Sequence, residues 1–248
     1  MATKIKDVVN RLRYLLKANN VDALVTDRFL WSVFNSSTDL IIQKYNDVYN
    51  IISSPEMYTT IKGIDVVEEN ILSLSCFDGI ACCNDYPIFR TEKKIPEVRS
   101  LNGKVLIRNV TSIDYSHYFT HIDIYDIPNI VNSRFKRFIK NKYFSYMDGY
   151  VWLIDMSVYG DKEINKGKGI PRKINITASF KDVVNAKAFS CDCKDDSKEC
   201  IVAQDMQINI PDTIIADVEN MAIQKLITML NIQTTFDTKD NKHINRSE

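Results

Sequence analysis

Apolar residues recur at helical spacing at both ends of this chain and in short strand-like runs through its middle. That change of period is the strongest constraint on its fold. Near the start, Val8, Val9, Leu12, Leu15 and Leu16 form one apolar stripe, ended by Asn19-Asn20. A second helix is predicted from Thr26 or Asp27, since either side chain can accept a hydrogen bond from the first turn. Its apolar positions are Phe29, Leu30, Val33, Phe34, Leu40 and Ile41, and it extends to about Tyr45. Ser36-Ser37-Thr38 in its middle weakens the helical signal, because such side chains compete for backbone hydrogen bonds. The last predicted helix runs from about Pro211 to Leu230. Proline suits a first turn, where its missing N–H has no partner to lose. Ile214, Ile215, Val218, Met221, Ala222, Leu226, Met229 and Leu230 give this helix a wide apolar face.

Between residues 58 and 180 the runs are short, rich in β-branched and aromatic residues, and punctuated by turn pairs. Strands are predicted over 58–61, 71–74, 86–90, 104–110, 117–125, 143–146, 150–154 and 173–180. Asp78-Gly79, Asn102-Gly103 and Asp148-Gly149 are turn signals, and Met147-Asp148-Gly149-Tyr150 is the strongest hairpin. A short helical turn is expected at 182–188, ahead of an acidic loop. The economical architecture is α+β: a helical bundle from the N- and C-terminal helices, with a β-rich, sandwich- or barrel-like insertion. The expected organisation is a discontinuous helical bundle over 1–57 plus 205–234, a β-rich insertion domain over 58–204, and a polar tail over 235–248.

Composition removes several function classes. The chain has 248 residues and is 45% hydrophobic, which supports a substantial core and excludes global disorder. Lys plus Arg total 32 and Asp plus Glu total 32, so the formal net charge is zero. Bulk electrostatic binding to nucleic acid needs a positive excess that is missing here. Only 7 glycines and 3 histidines leave little for phosphate-cradling loops or histidine-based chemistry. The charge-interleaved N-terminus does not read as a signal peptide, and no apolar stretch is long enough to span a bilayer, so a soluble protein made in a cytosol is expected.

The candidate chemistries are sparse. His117 and His121 lie four apart, with Asp114, Asp123 and Asp126 nearby, but Tyr118, Phe119, Ile122, Ile124 and Tyr125 read as strand, where that spacing separates the two rings. Cys191, Cys193 and Cys200 offer three thiols, yet the CxC spacing and the absence of a nearby fourth ligand make them a weak metal clip. Cys82-Cys83 has no general base close in sequence and reads as a structural thiol pair. The most basic stretch is Arg134-Phe135-Lys136-Arg137-Phe138-Ile139-Lys140-Asn141-Lys142-Tyr143. Interleaved cations and aromatics of this kind bind single strands, and Arg134, Lys136, Arg137, Lys140 and Lys142 are the candidate DNA-facing residues. A lysine-protected strand edge has the same appearance, and is favoured because the chain is not basic in bulk. No Walker A, GxGxxG, GxSxG or HExxH pattern occurs. No catalytic residue and no cofactor are assigned.

An ordered set of segments carries a family resemblance. Leu24-Val25-Thr26-Asp27-Arg28-Phe29-Leu30 follows the first helix, and Ala81-Cys82-Cys83 precedes Phe89-Arg90-Thr91-Glu92-Lys93-Lys94-Ile95-Pro96. Ile107-Arg108-Asn109-Val110-Thr111-Ser112-Ile113-Asp114 comes next, and Gln204-Asp205-Met206-Gln207-Ile208-Asn209-Ile210-Pro211 leads into Ala216-Asp217-Val218-Glu219-Asn220-Met221. Together they resemble the neck ring (head-to-tail connector) proteins of crAss-like short-tailed bacteriophages. The resemblance implies a structural virion protein without catalysis, assembled in the bacterial host cytoplasm and residing in the neck. It implies a homo-oligomeric ring of about twelve copies, contacting the portal protein and neighbouring neck and tail rings. Genomic DNA would pass through without sequence-specific binding, and no membrane would be involved. Arg28, Phe29 and Trp31, with Asn241, Lys242, His243 and Ile244 in the polar tail, are the candidate partner-interface residues. The alternative is a nucleic-acid-binding adaptor of the packaging or ejection machinery that uses the basic-aromatic segment.

Overall fold

Tertiary contacts divide the chain into two compact units, one of Met1–Lys44, Ala203–Ile208 and Asp212–Glu248, the other of Tyr45–Val202 and Asn209–Pro211. The computed structural model describes residues 3–18, 25–69, 88–126, 142–155, 169–190 and 205–230.

In the first unit, helix α1 (Ile5–Ala18) buries Val8, Val9, Leu12 and Leu16, the stripe expected from their spacing. Asp7 in its first turn accepts a hydrogen bond from the Lys4 N–H at 3.4 Å, supplying negative charge where the helix dipole favours it. Helix α2 (Asp27–Tyr49), which belongs to this unit as far as Lys44, starts where Thr26 Oγ1 accepts the Phe29 N–H at 3.3 Å. It is longer than expected and unbroken. The hydroxyls of Ser36 and Ser37 both donate to the Val33 carbonyl at 2.9 Å, and Thr38 donates to the Phe34 carbonyl at 3.0 Å. Back-bonding to the preceding turn satisfies these groups inside a helix, so the polar triplet is accommodated where Ser37 and Thr38 are buried. Helix α4 (Asp212–Met229) follows Pro211 and buries Ile214, Ile215, Val218, Ala222 and Leu226, whereas Met229 is exposed. Helix α1 packs against α4, with Arg11 Nε donating to Glu219 Oε1 at 2.8 Å. Lys225 of α4 donates to Ser36 Oγ of α2 at 3.2 Å. A short antiparallel bridge pairs Lys4 with Gln207, so the residues before α1 are tied to those before α4.

The second unit is built on a closed barrel of seven strands in the order β1-β2-β8-β7-β6-β5-β9. Its strands are β1 (Thr59–Glu69), β2 (Ile88–Thr91), β5 (Ile107–Ser112), β6 (Tyr118–His121), β7 (Lys142–Met147), β8 (Tyr150–Asp155) and β9 (Lys173–Ala178). A small hairpin of β3 (Ser100–Leu101) and β4 (Lys104–Val105) stands apart from the barrel. All barrel pairings are antiparallel except β6 with β7. The Asn102-Gly103 and Asp148-Gly149 turns have positive φ at both residues, the conformation that two-residue hairpins require. Strand β8 buries Val151 through Asp155 without alternation, as a strand covered on both faces does. Phe144, Phe180, Val151, Leu153, Ile174, Ile176 and Ala178 belong to one core cluster. Helix α3 (Val183–Ser190) begins after Asp182, whose carboxylate accepts the Val184 N–H at 2.9 Å, and packs against β1.

Closure depends on β1. Its first half pairs with β9 (Ile61 opposite Ile176) and its second half with β2 (Val67 opposite Arg90). The register shifts between Ile61 and Ile64, where Gly63 adopts φ +72°. The Gly63 N–H donates to Asn175 Oδ1 at 3.1 Å, and Asn175 Nδ2 donates to the Ser112 carbonyl at 3.4 Å. One buried amide on β9 thus serves both neighbours at the place where β1 bends. Such a bulge raises the local twist and lets one strand serve two sheets. Buried Arg99 adds a second internal clamp, donating through Nε to the Phe180 carbonyl at 3.1 Å and through a terminal nitrogen to the Lys181 carbonyl at 3.2 Å. At the β7–β8 pair, the Lys142 ammonium lies 3.5 Å from the buried Asp155 carboxylate and donates to the Gly169 carbonyl.

The β5–β6 turn is also built from side chains. Asp114 Oδ1 accepts the Ser112 hydroxyl at 2.5 Å and the Ser116 N–H at 3.3 Å, and Ser112 Oγ accepts the His117 N–H at 3.0 Å. These bonds, the Ser112 hydroxyl foremost, lower the exposed Asp114 carboxyl from 3.8 to about 2.

Gly63→Ala should destabilise the protein by roughly 1–2 kcal/mol, because a Cβ disfavours this left-handed backbone even though open space surrounds it. Denaturant unfolding checks this, and an unchanged midpoint would show that the bulge does not need glycine. Lys142→Met should cost roughly 3 kcal/mol by removing the ammonium that faces the buried Asp155 carboxylate, and Lys142→Met/Asp155→Leu should recover much of that loss. Finally, Asp114 should titrate near pH 2 by NMR. Its depressed pKa means that its support of the turn is present above the ordinary value of 3.8 and disappears as pH falls through about 2. In Ser112→Ala the midpoint should move back toward the ordinary carboxylate range.

Candidate functional site

Among the described residues, no group of three His, Cys, Asp or Glu side chains is placed to hold a metal ion. No described helix is long and apolar enough to cross a membrane. His117 closes the β5–β6 turn. His121 ends β6, with its ring edge-on to Phe144 at 5.2 Å between centroids. Cys82, Cys83, Cys191, Cys193 and Cys200 lie outside the described residues, as do Arg134, Lys136, Arg137 and Lys140 of the basic-aromatic segment, the 71–74 strand and the 235–248 tail with Asn241, Lys242, His243 and Ile244. Lys142, the described member of the DNA-facing set, has its charge engaged by Asp155 and its side chain only 13% exposed. Its ammonium is occupied within the β-unit.

The other partner-interface candidates are at the start of α2. Arg28 and Phe29 are exposed, and Trp31 is partly buried and stacked on Phe34 with centroids 5.5 Å apart. The Trp31 indole nitrogen is buried and has no hydrogen-bond partner among the described residues. Arg13 of α1 reaches Asp27 Oδ1 at 2.5 Å and the Val25 carbonyl at 3.3 Å, which fixes the second half of α1 beside the start of α2. Tyr14, next to Arg13, is 74% exposed, and Lys17 one turn on is also exposed. Aromatic and cationic side chains are thus exposed on both helices near the Arg13–Asp27 contact.

A second surface was not anticipated. Ile113, Tyr115, Tyr118 and Tyr125 are 49%, 51%, 65% and 84% exposed, all on the β5–β6 hairpin and the 3-10 turn Ile124–Asp126 that follows. Read as sequence, Tyr118 and Tyr125 belong to an apolar strand. In the fold, Phe119 and Ile122 take the buried positions and the tyrosines face solvent. The usable signal was the choice of tyrosine over phenylalanine, with aspartates interspersed at 114, 123 and 126. A phenol tolerates water while retaining a large contact area. The stretch is braced rather than loose: besides the Asp114 network, Asp123 Oδ1 accepts the Tyr125 N–H at 3.1 Å, and the Ile122 N–H reaches the Phe144 carbonyl at 2.9 Å.

Elsewhere cations serve the fold. Arg90 pairs with Glu69 and lies 4.3 Å over the Tyr150 ring, while Arg108 lies 5.4 Å over Tyr58. Burial pushes the Tyr58 and Tyr146 phenols above their ordinary values, which keeps them neutral hydrogen-bonding groups. None of these arrangements pairs a nucleophile with a base.

A curated protein of Mycoplasma genitalium, "Uncharacterized protein MG366", is 26% identical over 110 residues, 43% of this chain. The chain spans only 16% of that relative's length. A far more extensive match, over residues 6–245, is to the family model described as phage tail ring protein 2 of the crAss-like phages. With nearly the whole chain matched, this protein belongs to the crAss-like phage tail ring protein 2 family.

Proposed function

We propose that this chain is a structural subunit of a closed ring in the phage neck, a head-to-tail connector that joins the portal to the tail and surrounds the exiting genome. The observation that carries this reading is the tail ring family match over residues 6–245. A closed ring is a heterologous assembly, in which one face of each copy meets a different face of the next. Two braced surfaces with exposed aromatics, one in each unit, suit that requirement. Zero net charge also suits it, because like-charged copies packed in a ring repel one another. A channel through which DNA must slide gains from weak, non-specific contact with phosphates, and the bulk neutrality of the chain supports this. In this reading the helical segments 1–57 and 205–234 form the ring body, and the insertion 58–204 contacts the neighbouring layer. Residues 235–248 complete the docking contact through Asn241, Lys242, His243 and Ile244.

Native mass measurement and negative-stain imaging of the purified protein, alone and mixed with the phage portal, test the proposal. Closed rings of about a dozen copies, or addition of that many copies to the portal, are the expected result. A monomer that ignores the portal would overturn it.

A further inference from the structure

We infer that the β5–β6 hairpin of one subunit docks on the start of α2 in a second copy of this chain, so that the acidic-aromatic stretch 113–126 meets the cationic-aromatic surface around Arg28 and Phe29. The inference deepens the ring reading and rests on it. A ring subunit must carry two different, mutually complementary faces, and these two surfaces differ in the right sense. From residue 109 to 126 the chain has no Lys or Arg, while Asp114, Asp123 and Asp126 are all exposed. On the other surface Arg13, Lys17 and Arg28 outnumber Asp27. Both surfaces present large apolar side chains to solvent, Tyr118 and Tyr125 on one, Tyr14 and Phe29 on the other. Aromatic residues and arginine are the side chains that contribute most to protein interfaces. Both surfaces are also held in shape beforehand, by the Asp114–Ser112 network and by the Arg13–Asp27 pair, which lowers the ordering cost of association.

Charge reversal on the full-length chain tests the pairing. Asp126→Arg and Arg28→Glu each change an exposed side chain, so both variants should keep the wild-type melting temperature and circular dichroism. Each alone should weaken self-association roughly tenfold or more in sedimentation and native mass measurements, through like-charge opposition at the contact. Mixed in equal amounts, the two should assemble again, with subunits alternating so that every contact is either native or doubly reversed. Tyr118→Ser/Tyr125→Ser should likewise remain folded and lose assembly. If the wild type assembles and the single reversals assemble equally well, or the equal mixture gives no recovery, this pairing of faces is wrong and the ring reading stands. If the wild type fails to associate at its highest soluble concentration and with the portal, the ring reading fails and the pairing with it.

Discussion

The β-unit depends on the bend in β1. This strand pairs with β9 on one side of the Gly63 bulge and with β2 on the other, and the barrel closes only because it serves both. An open version of the same sheet would leave two strands with unpaired N–H and C=O groups along their length, a template for uncontrolled pairing with other copies. The energy at the bend is modest but directional. Gly63 supplies a left-handed backbone that other residues adopt reluctantly, and Asn175 satisfies the N–H that the register shift would otherwise leave without a ladder partner. Buried polar groups in this unit are thus tied to backbone direction, as Arg99 is to the carbonyls after β9.

Closure bears on function by limiting where association can occur. A subunit of a phage tail ring family must bind neighbours in a defined direction and number. With the barrel's strands paired all the way round, sheet extension at those strands is unavailable. The β5–β6 turn illustrates the trade. Its backbone donors are satisfied by Asp114 and Ser112, while its tyrosines are left to water or to a partner. Charge is handled in the same way. Lys142, Arg90 and Arg99 are engaged internally, so these three cations serve the stability of the β-unit itself.

Much of the local structure was legible because its causes are local. The Asp148-Gly149 and Asn102-Gly103 turns announce themselves through residues that tolerate positive φ, and the α1 stripe through spacing alone. Two local signals were ambiguous for identifiable reasons. The predicted second helix forms through Ser36-Ser37-Thr38, where each hydroxyl finds a carbonyl one turn back, which the sequence does not distinguish from competition with the helix. The second half of β1 was missed because Lys62, Gly63 and Asp65 interrupt its apolar pattern, and the bulge that reconciles them with a strand is defined only against β9. The exposed tyrosines of 113–126 were hidden by a similar limit. An apolar run shows that something is buried, but not which of its members.

Residue order by itself determined the helical and strand periods, the turn chemistry, the neutral charge balance and the family, because each is a property of neighbours along the chain or of the whole string. Only the tertiary structure decided that the strands close into a barrel, since β1 and β9 lie more than a hundred residues apart and their pairing depends on a register shift at one glycine. It also decided the fate of individual side chains, taking Lys142 into an ion pair with Asp155 and turning Tyr118 and Tyr125 outward. The physical reason is the same in both cases. Burial and pairing energies depend on what lies across the fold from a residue, and that partner is set by long-range packing, not by adjacency in sequence.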